Sequence, residues 1–162
     1  MKSIFIKASF LTIFVIVTVV IIIIASLFKV LQASGSSMEP NLKNGDLLIT
    51  SKLFGYKKGD MIAFYYDDRV LIRRAIATEG DIVYMEDDGS VYINNKKLEE
   101  SYVEQLDYGE CNIKFPYIVP NGSIFILGDN RKSSIDSRSI GCISKDNIIG
   151  KIKFKLIPFT WY

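Results

Sequence analysis

The chain has 162 residues, 49% apolar and 23% charged, a length that suits one compact domain with a short appendage. It contains no histidine, which excludes Ser-His-Asp and Cys-His catalytic units and any histidine-ligated metal. Once Lys2, Lys7 and Lys29 are set aside, the remaining Lys and Arg nearly balance the 18 Asp and Glu, so the basic face of a nucleic-acid binder is missing.

Residues 8–28 (ASFLTIFVIVTVVIIIIASLF) carry no charge. At about 1.5 Å per residue they make roughly 31 Å of helix, the thickness of a bilayer core of about 30 Å. β-branched residues are no obstacle there, because lipid forces the backbone to bond to itself. Lys2 and Lys7 precede the run and Lys29 alone closely follows it, which orients the N-terminus to the cytoplasm. Small residues at Ala33, Ser34 and Gly35 also fit a cleavable signal peptide, but such apolar regions usually run about 7–15 residues. The longer run favours a retained anchor.

From Ser34 onward the pattern becomes short β-like runs with turn punctuation. Leu47–Thr50, Met61–Tyr66, Val70–Ala77 and Ile82–Met85 are rich in β-branched and aromatic residues. Glu86-Asp87-Asp88-Gly89-Ser90 separates Ile82–Met85 from Val91–Ile93 as in a hairpin. Residues 94–121 read as loop-rich, and Ile124–Leu127 and Ile148–Leu156 as two further strands. In the last, Lys151, Lys153 and Lys155 alternate with Ile152, Phe154 and Leu156, predicting one wet face. Cys111 and Cys142 exclude a four-thiolate zinc site; one disulfide and two thiols both remain compatible. The organisation expected is a cytoplasmic stretch 1–7, an anchor 8–28 and one mostly-β extracytoplasmic domain 29–162.

Three segments hold more chemistry than strands need. Gly35-Ser36-Ser37-Met38-Glu39-Pro40, followed by Gly45-Asp46, reads by itself as a connector. In Arg73-Arg74-Ala75-Ile76-Ala77-Thr78-Glu79-Gly80-Asp81, two adjacent strand arginines ordinarily leave one exposed and one paired, with a turn at Gly80-Asp81. Gly128-Asp129-Asn130-Arg131-Lys132-Ser133-Ser134-Ile135-Asp136-Ser137-Arg138-Ser139-Ile140-Gly141 is a hydroxyl- and charge-dense loop after a buried-looking strand, which is how a site wall reads.

In this order, behind one apolar anchor, SSMEP with GD, RRAIATEGD and GDNRKSSIDSR resemble the boxes of the type I (bacterial leader) signal peptidases, in their short Gram-positive form. The resemblance covers essentially the whole chain. It implies an antiparallel, β-sandwich-like catalytic domain and a membrane-bound serine endopeptidase that removes signal peptides after Ala-x-Ala-like sites. It implies exported preproteins and membrane lipid as partners, with no metal or cofactor. By the same resemblance Ser37 is the nucleophile, its N–H part of the oxyanion hole, and Met38 lines the substrate groove. Ser134 is the hydroxyl that orients the general base, Asp136 and Arg138 are a supporting ion pair, and Gly128 and Asp129 form a structural turn. Some relatives carry a serine where Gly35 stands. The tail residues Phe154, Phe159, Trp161 and Tyr162 are placed either at the bilayer interface or in ordinary core packing.

One departure matters more. A serine hydroxyl needs a neighbour to take its proton. The family uses a lysine eight positions before the aspartate of the GD pair; counting back from Asp81 gives Arg73, with Arg74 at the family arginine. Lysine begins near a pKa of about 10.4, and burial lowers it by about 3–5, into working range. Arginine begins well above lysine and stays charged in proteins. Ala77 and Glu79 also stand where the family has Gly and Pro. Lys52, Lys57, Lys58 and Lys132 sit at turn or variable positions where solvated lysines are the rule. Besides the enzyme, the residues therefore allow an inactive homologue that binds or assembles exported surface proteins. A self-cleaving repressor relative is disfavoured by the anchor and the near-neutral domain.

Overall fold

The computed structural model describes residues 2–53, 55–156 and 159–161, with side chains over residues 12–53 and 55–156. Helix α1 spans Lys2–Leu27 and passes without a linker into β1, Phe28–Gln32. There follow β2 (Leu47–Ser51), β3 (Met61–Tyr66), β4 (Arg69–Thr78), β5 (Ile82–Met85), β6 (Val91–Ile93), β7 (Lys96–Lys97), β8 (Tyr117–Ile118) and β9 (Ser123–Leu127). A single-turn helix α2 (Ser137–Ile140), β10 (Ile143–Ser144), β11 (Ile148–Leu156) and β12 (Phe159–Trp161) complete the chain.

All pairings are antiparallel. The larger sheet runs β1-β2-β11-β3-β4-β9-β10, with β12 added to β11; the smaller runs β7-β6-β5-β8. β3 reads as an unbroken apolar run because both its faces are covered. Met61 and Ala63 pack with Leu48, Ile72 and Ile152, while Ile62 and Phe64 pack with Ala75, Ile124 and Ile126. β5 alternates instead: Ile82 and Tyr84 face solvent, and Val83 and Met85 are buried with Ile76, Phe125 and Leu127 of the larger sheet. Each such buried apolar side chain contributes about 1.5–3 kcal/mol. Among the described residues no strand pairs one sheet to the other, so side-chain burial holds the smaller sheet in place.

Helix α1 ends at Leu27, and the segment after it is a strand, set by pairing from Phe28↔Ser51 to Gln32↔Leu47. Two expectations are corrected. The lysine face of β11 is not wet. Lys155 is 6% exposed and bonds Asp46 at 2.6 Å, and Lys151 bonds Asp60 at 2.7 Å. The register against β2 shifts between Ile152 and Phe154, and that bulge turns Lys155 onto the buried side with Ile152. Finally, β7 and β8 are short strands inside the stretch read as loop. Cys111 and Cys142 are free thiols.

Apart from Thr12, Thr18 and Ser26, the described side chains of α1 are apolar, and they are open on every side, Ile13 to Ile24 among them. Among the described residues no helix is long and apolar enough to cross a membrane. The first residues of the expected anchor, 8–11, and the tail residues Phe159, Trp161 and Tyr162 have side chains outside the described residues. Phe154 is half-buried on β11.

Candidate active site

Ser37 sits in a loop pinned at both ends. Ala33 N–H donates to Asp46 O at 2.8 Å and Gly45 N–H to Ala33 O at 2.9 Å. Gly35 takes φ +81°, which a side chain would strain, and donates its N–H to the Asn44 carboxamide oxygen at 3.1 Å. Met38 and Leu42 plug the loop into the core between β1 and β4. Ser37 itself is half-buried, and among the described residues neither its hydroxyl nor its N–H makes a hydrogen bond. Its carbonyl accepts the Asn130 N–H at 3.0 Å.

β4 carries the two arginines, and both are buried, against the expectation of one exposed and one paired. Arg74 makes a two-pronged contact with Asp129, Nε to Oδ1 at 2.8 Å and Nη2 to Oδ2 at 2.5 Å. It also donates to Gly59 O at 2.6 Å and stacks 3.9 Å from the Tyr102 ring centre. Burial, reinforced by Glu100, raises the Tyr102 phenol well above its ordinary pKa. Arg73 is 5% exposed, and its Nε donates to Ile135 O at 2.9 Å and its Nη1 to Ile72 O at 2.6 Å. Burial lowers its pKa from the ordinary guanidinium value; Asp136 opposes that and Arg138 adds to it.

The loop after β9 is built on buried charge. Asp136 caps α2 and accepts four hydrogen bonds: from Arg138 N, Nε and Nη2, and from Gly128 N–H at 3.0 Å. Arg138, 1% exposed, also donates to the carbonyls of Asp107, Tyr108 and Arg131. Arg131 donates to Gly128 O and pairs with Glu100. Gly128 is required by space: a Cβ there would meet Ser134 Oγ at 2.2 Å and Ser37 O at 2.7 Å. Ser134 Oγ is buried and has no partner among the described residues.

These parts converge on a cleft of about 100 Å³. One wall is Leu31 to Gly35, the other Val70 to Arg73, with Ser37 and Met38 at its end and Leu42 beneath. The sequence-derived Ser37, Met38 and Arg73 line it, and Gly128 and Ser134 stand against Ser37. Asp129, Asp136, Arg138 and Arg74 lie behind, in the ion pairs that hold those loops. Asp129 is thereby the counter-charge of Arg74 as well as part of a turn. Lys52, Lys57 and Lys132 are exposed, and Lys58 bonds Asp81. Asn41, which donates to Asp129 at 2.8 Å and to Tyr102 O at 2.8 Å, bears no mark of this in the sequence, and neither do Glu100 and Tyr102. Asn130 and Arg131 lie in the third segment, where the sequence assigns them no role.

A serine in a strand-walled cleft, in a chain without histidine, narrows the class to serine hydrolases that do not use that residue. The model of the signal peptidase family, peptidase S26, matches residues 6–157. Signal peptidase I T of Bacillus subtilis (strain 168) is 36% identical over 148 residues, covering 83% of this chain and 76% of the relative. Signal peptidase I of Bacillus licheniformis is 34% identical over 158 residues, 89% and 84% of the two chains. The crystal structure of a signal peptidase I from Enterococcus faecalis V583 superposes with a TM-score of 0.52 at 28% identity, covering 59% of this chain and 95% of that one. The chain belongs to the signal peptidase family.

Proposed function

We propose that the chain removes signal peptides from exported preproteins as a membrane-anchored serine endopeptidase cutting after Ala-x-Ala-like sites. The observation that carries this reading is the shared cleft: Ser37, whose hydroxyl and N–H make no hydrogen bond among the described residues, and the Arg73 side of β4 line one slot on the family's frame. An extended peptide fits between its two walls as an added strand, with small side chains entering a space of this size. Ser37 Oγ attacks the scissile carbonyl, and the Ser37 N–H meets the developing oxyanion. Ser134 and the Asp136–Arg138 pair hold the geometry. The apolar, outward-facing side chains of α1 support a retained anchor of about 21 residues, 8–28, with the N-terminus cytoplasmic and the domain outside.

Arg73 occupies the position of the general base and is charged at neutral pH, so proton removal from Ser37 is the weak step. A positioned general base contributes about 10²–10⁴-fold. Cleavage of a preprotein in detergent micelles is expected to rise by about that range in Arg73→Lys and to vanish in Ser37→Ala. The Arg73→Lys rate should climb with pH as the amine loses its proton. Equal rates in the unmodified protein and Arg73→Lys would refute the assignment of Arg73 to the base position. Cleavage seen only in Arg73→Lys would identify the unmodified protein as one that binds exported proteins without cutting them.

A further inference from the structure

We propose that the cleft of this chain holds a peptide by its free C-terminal carboxylate, set against Arg73, in preference to an uninterrupted chain. The inference rests on the cleft being the peptide site. It deepens that reading by naming the ligand: the released end of a cleaved, apolar peptide.

Four arginines are buried in this domain: Arg73, Arg74, Arg131 and Arg138. Three have a carboxylate of their own, in Asp129, Glu100 and Asp136. Among the described residues Arg73 has none. Asp136, whose charge it senses, is already committed to Arg138 and the Gly128 N–H. Two backbone carbonyls accept from Nε and Nη1, and among the described residues Nη2 makes no hydrogen bond. Nor is Nη2 among the buried atoms sealed away without a partner, so it remains open to the space around it.

A buried guanidinium whose fork is half-used favours an anion, and a planar carboxylate matches its geometry better than a neutral carbonyl does. The cleft also offers apolar contacts from Leu31, Ala33, Met38, Leu42, Val70 and Ile72, beside the polar Gln32 and Ser34. Both sides include strand, Leu31 and Gln32 of β1 and Val70 to Arg73 of β4. A ligand complementary to both features is an extended apolar peptide that ends at Ser37 in a carboxylate. A lysine neutral enough to act as a base would not hold that end, so this device is particular to arginine.

The test uses the full-length Ser37→Ala protein in detergent, which removes cleavage from the readout. Binding is measured for one apolar peptide ending in Ala-Leu-Ala, as the free acid and as the C-terminal amide. The acid should bind at least about tenfold more tightly, and that gap should narrow as salt screens the charge. Adding Arg73→Gln should abolish the gap, and an unchanged circular dichroism spectrum and thermal midpoint show that the variant is folded. Equal affinity for acid and amide, or a gap that survives Arg73→Gln, overturns the proposal alone. If neither form binds, the cleft is not the peptide site and both readings fall. If Arg73→Gln does not fold, a salt-insensitive gap in the Ser37→Ala protein overturns the proposal, and a salt-sensitive one supports it.

Discussion

Ser37 and Ser134 belong to loops far apart in sequence, and the missing side chain of Gly128 is what lets them meet. A methyl group at that position would lie 2.2 Å from Ser134 Oγ and 2.7 Å from Ser37 O, and the second of these is backbone that cannot rotate away. Gly128→Ala is therefore expected to lower stability by about 1–3 kcal/mol and to displace Ser37, with cleavage falling further than the stability loss explains. Denaturant midpoints and cleavage rates on the same preparation check this, and a variant with unchanged rate would show that the contact does not position the nucleophile. At this scale the sequence was informative where chemistry repeats in a recognisable order: Ser37, Arg73, Ser134, Asp136 and Arg138 could all be marked in advance. Asn41, Glu100 and Tyr102 could not. Their roles come from partners such as Asp129, Arg131 and Arg74, tens of residues away in the chain, and an Asn before a Leu or a Tyr in a polar stretch carries no local signal of such a contact.

Strands were legible where apolar residues were continuous or alternated, as in β3 and β5. They were hidden where pairing alone makes them. β1 follows an apolar helix and shows no alternation, and β7 and β8 are too short to have a period. In β11 the alternation was present but misleading, because a bulge changes which face Lys155 occupies. The turn from β4 to β5 is fastened by Asp81, which accepts from Thr78 N–H at 2.7 Å, from Asn94 Nδ2 at 2.8 Å and from Lys58 Nζ at 2.7 Å. Burial pushes its pKa up, but these donors outweigh it and hold the carboxyl below its ordinary range. A carboxylate held lower in the folded state than in the unfolded one, at about 3.9, stabilises above that value and loses its effect as pH falls through its folded value. Asp81→Asn should thus destabilise the protein at pH 7, and the difference from the unmodified protein should shrink toward pH 2.5. Urea midpoints at the two values measure it; a constant difference would mean that the charge of Asp81 is irrelevant to this turn.

At the scale of the whole molecule, an apolar helix is joined to a domain whose charges are nearly balanced. Helix Lys2–Leu27 presents large apolar side chains on all described sides, which water disfavours and lipid accepts. The protein should stay with membranes through an alkaline carbonate wash, and protease added outside intact protoplasts should digest the domain. Release by the wash, or protection from the protease, would rule out the anchored orientation. The direct passage from α1 into β1 matters beyond attachment. β1 is bonded to β2 along its whole length, and its Leu31 and Gln32 are part of the cleft wall. With no slack between Leu27 and Phe28, a torque on the helix is delivered to that wall as through a lever. On the anchoring proposed above, the lipid thickness that sets the helix tilt is then expected to be one of the quantities that set the width of the slot beside Ser37.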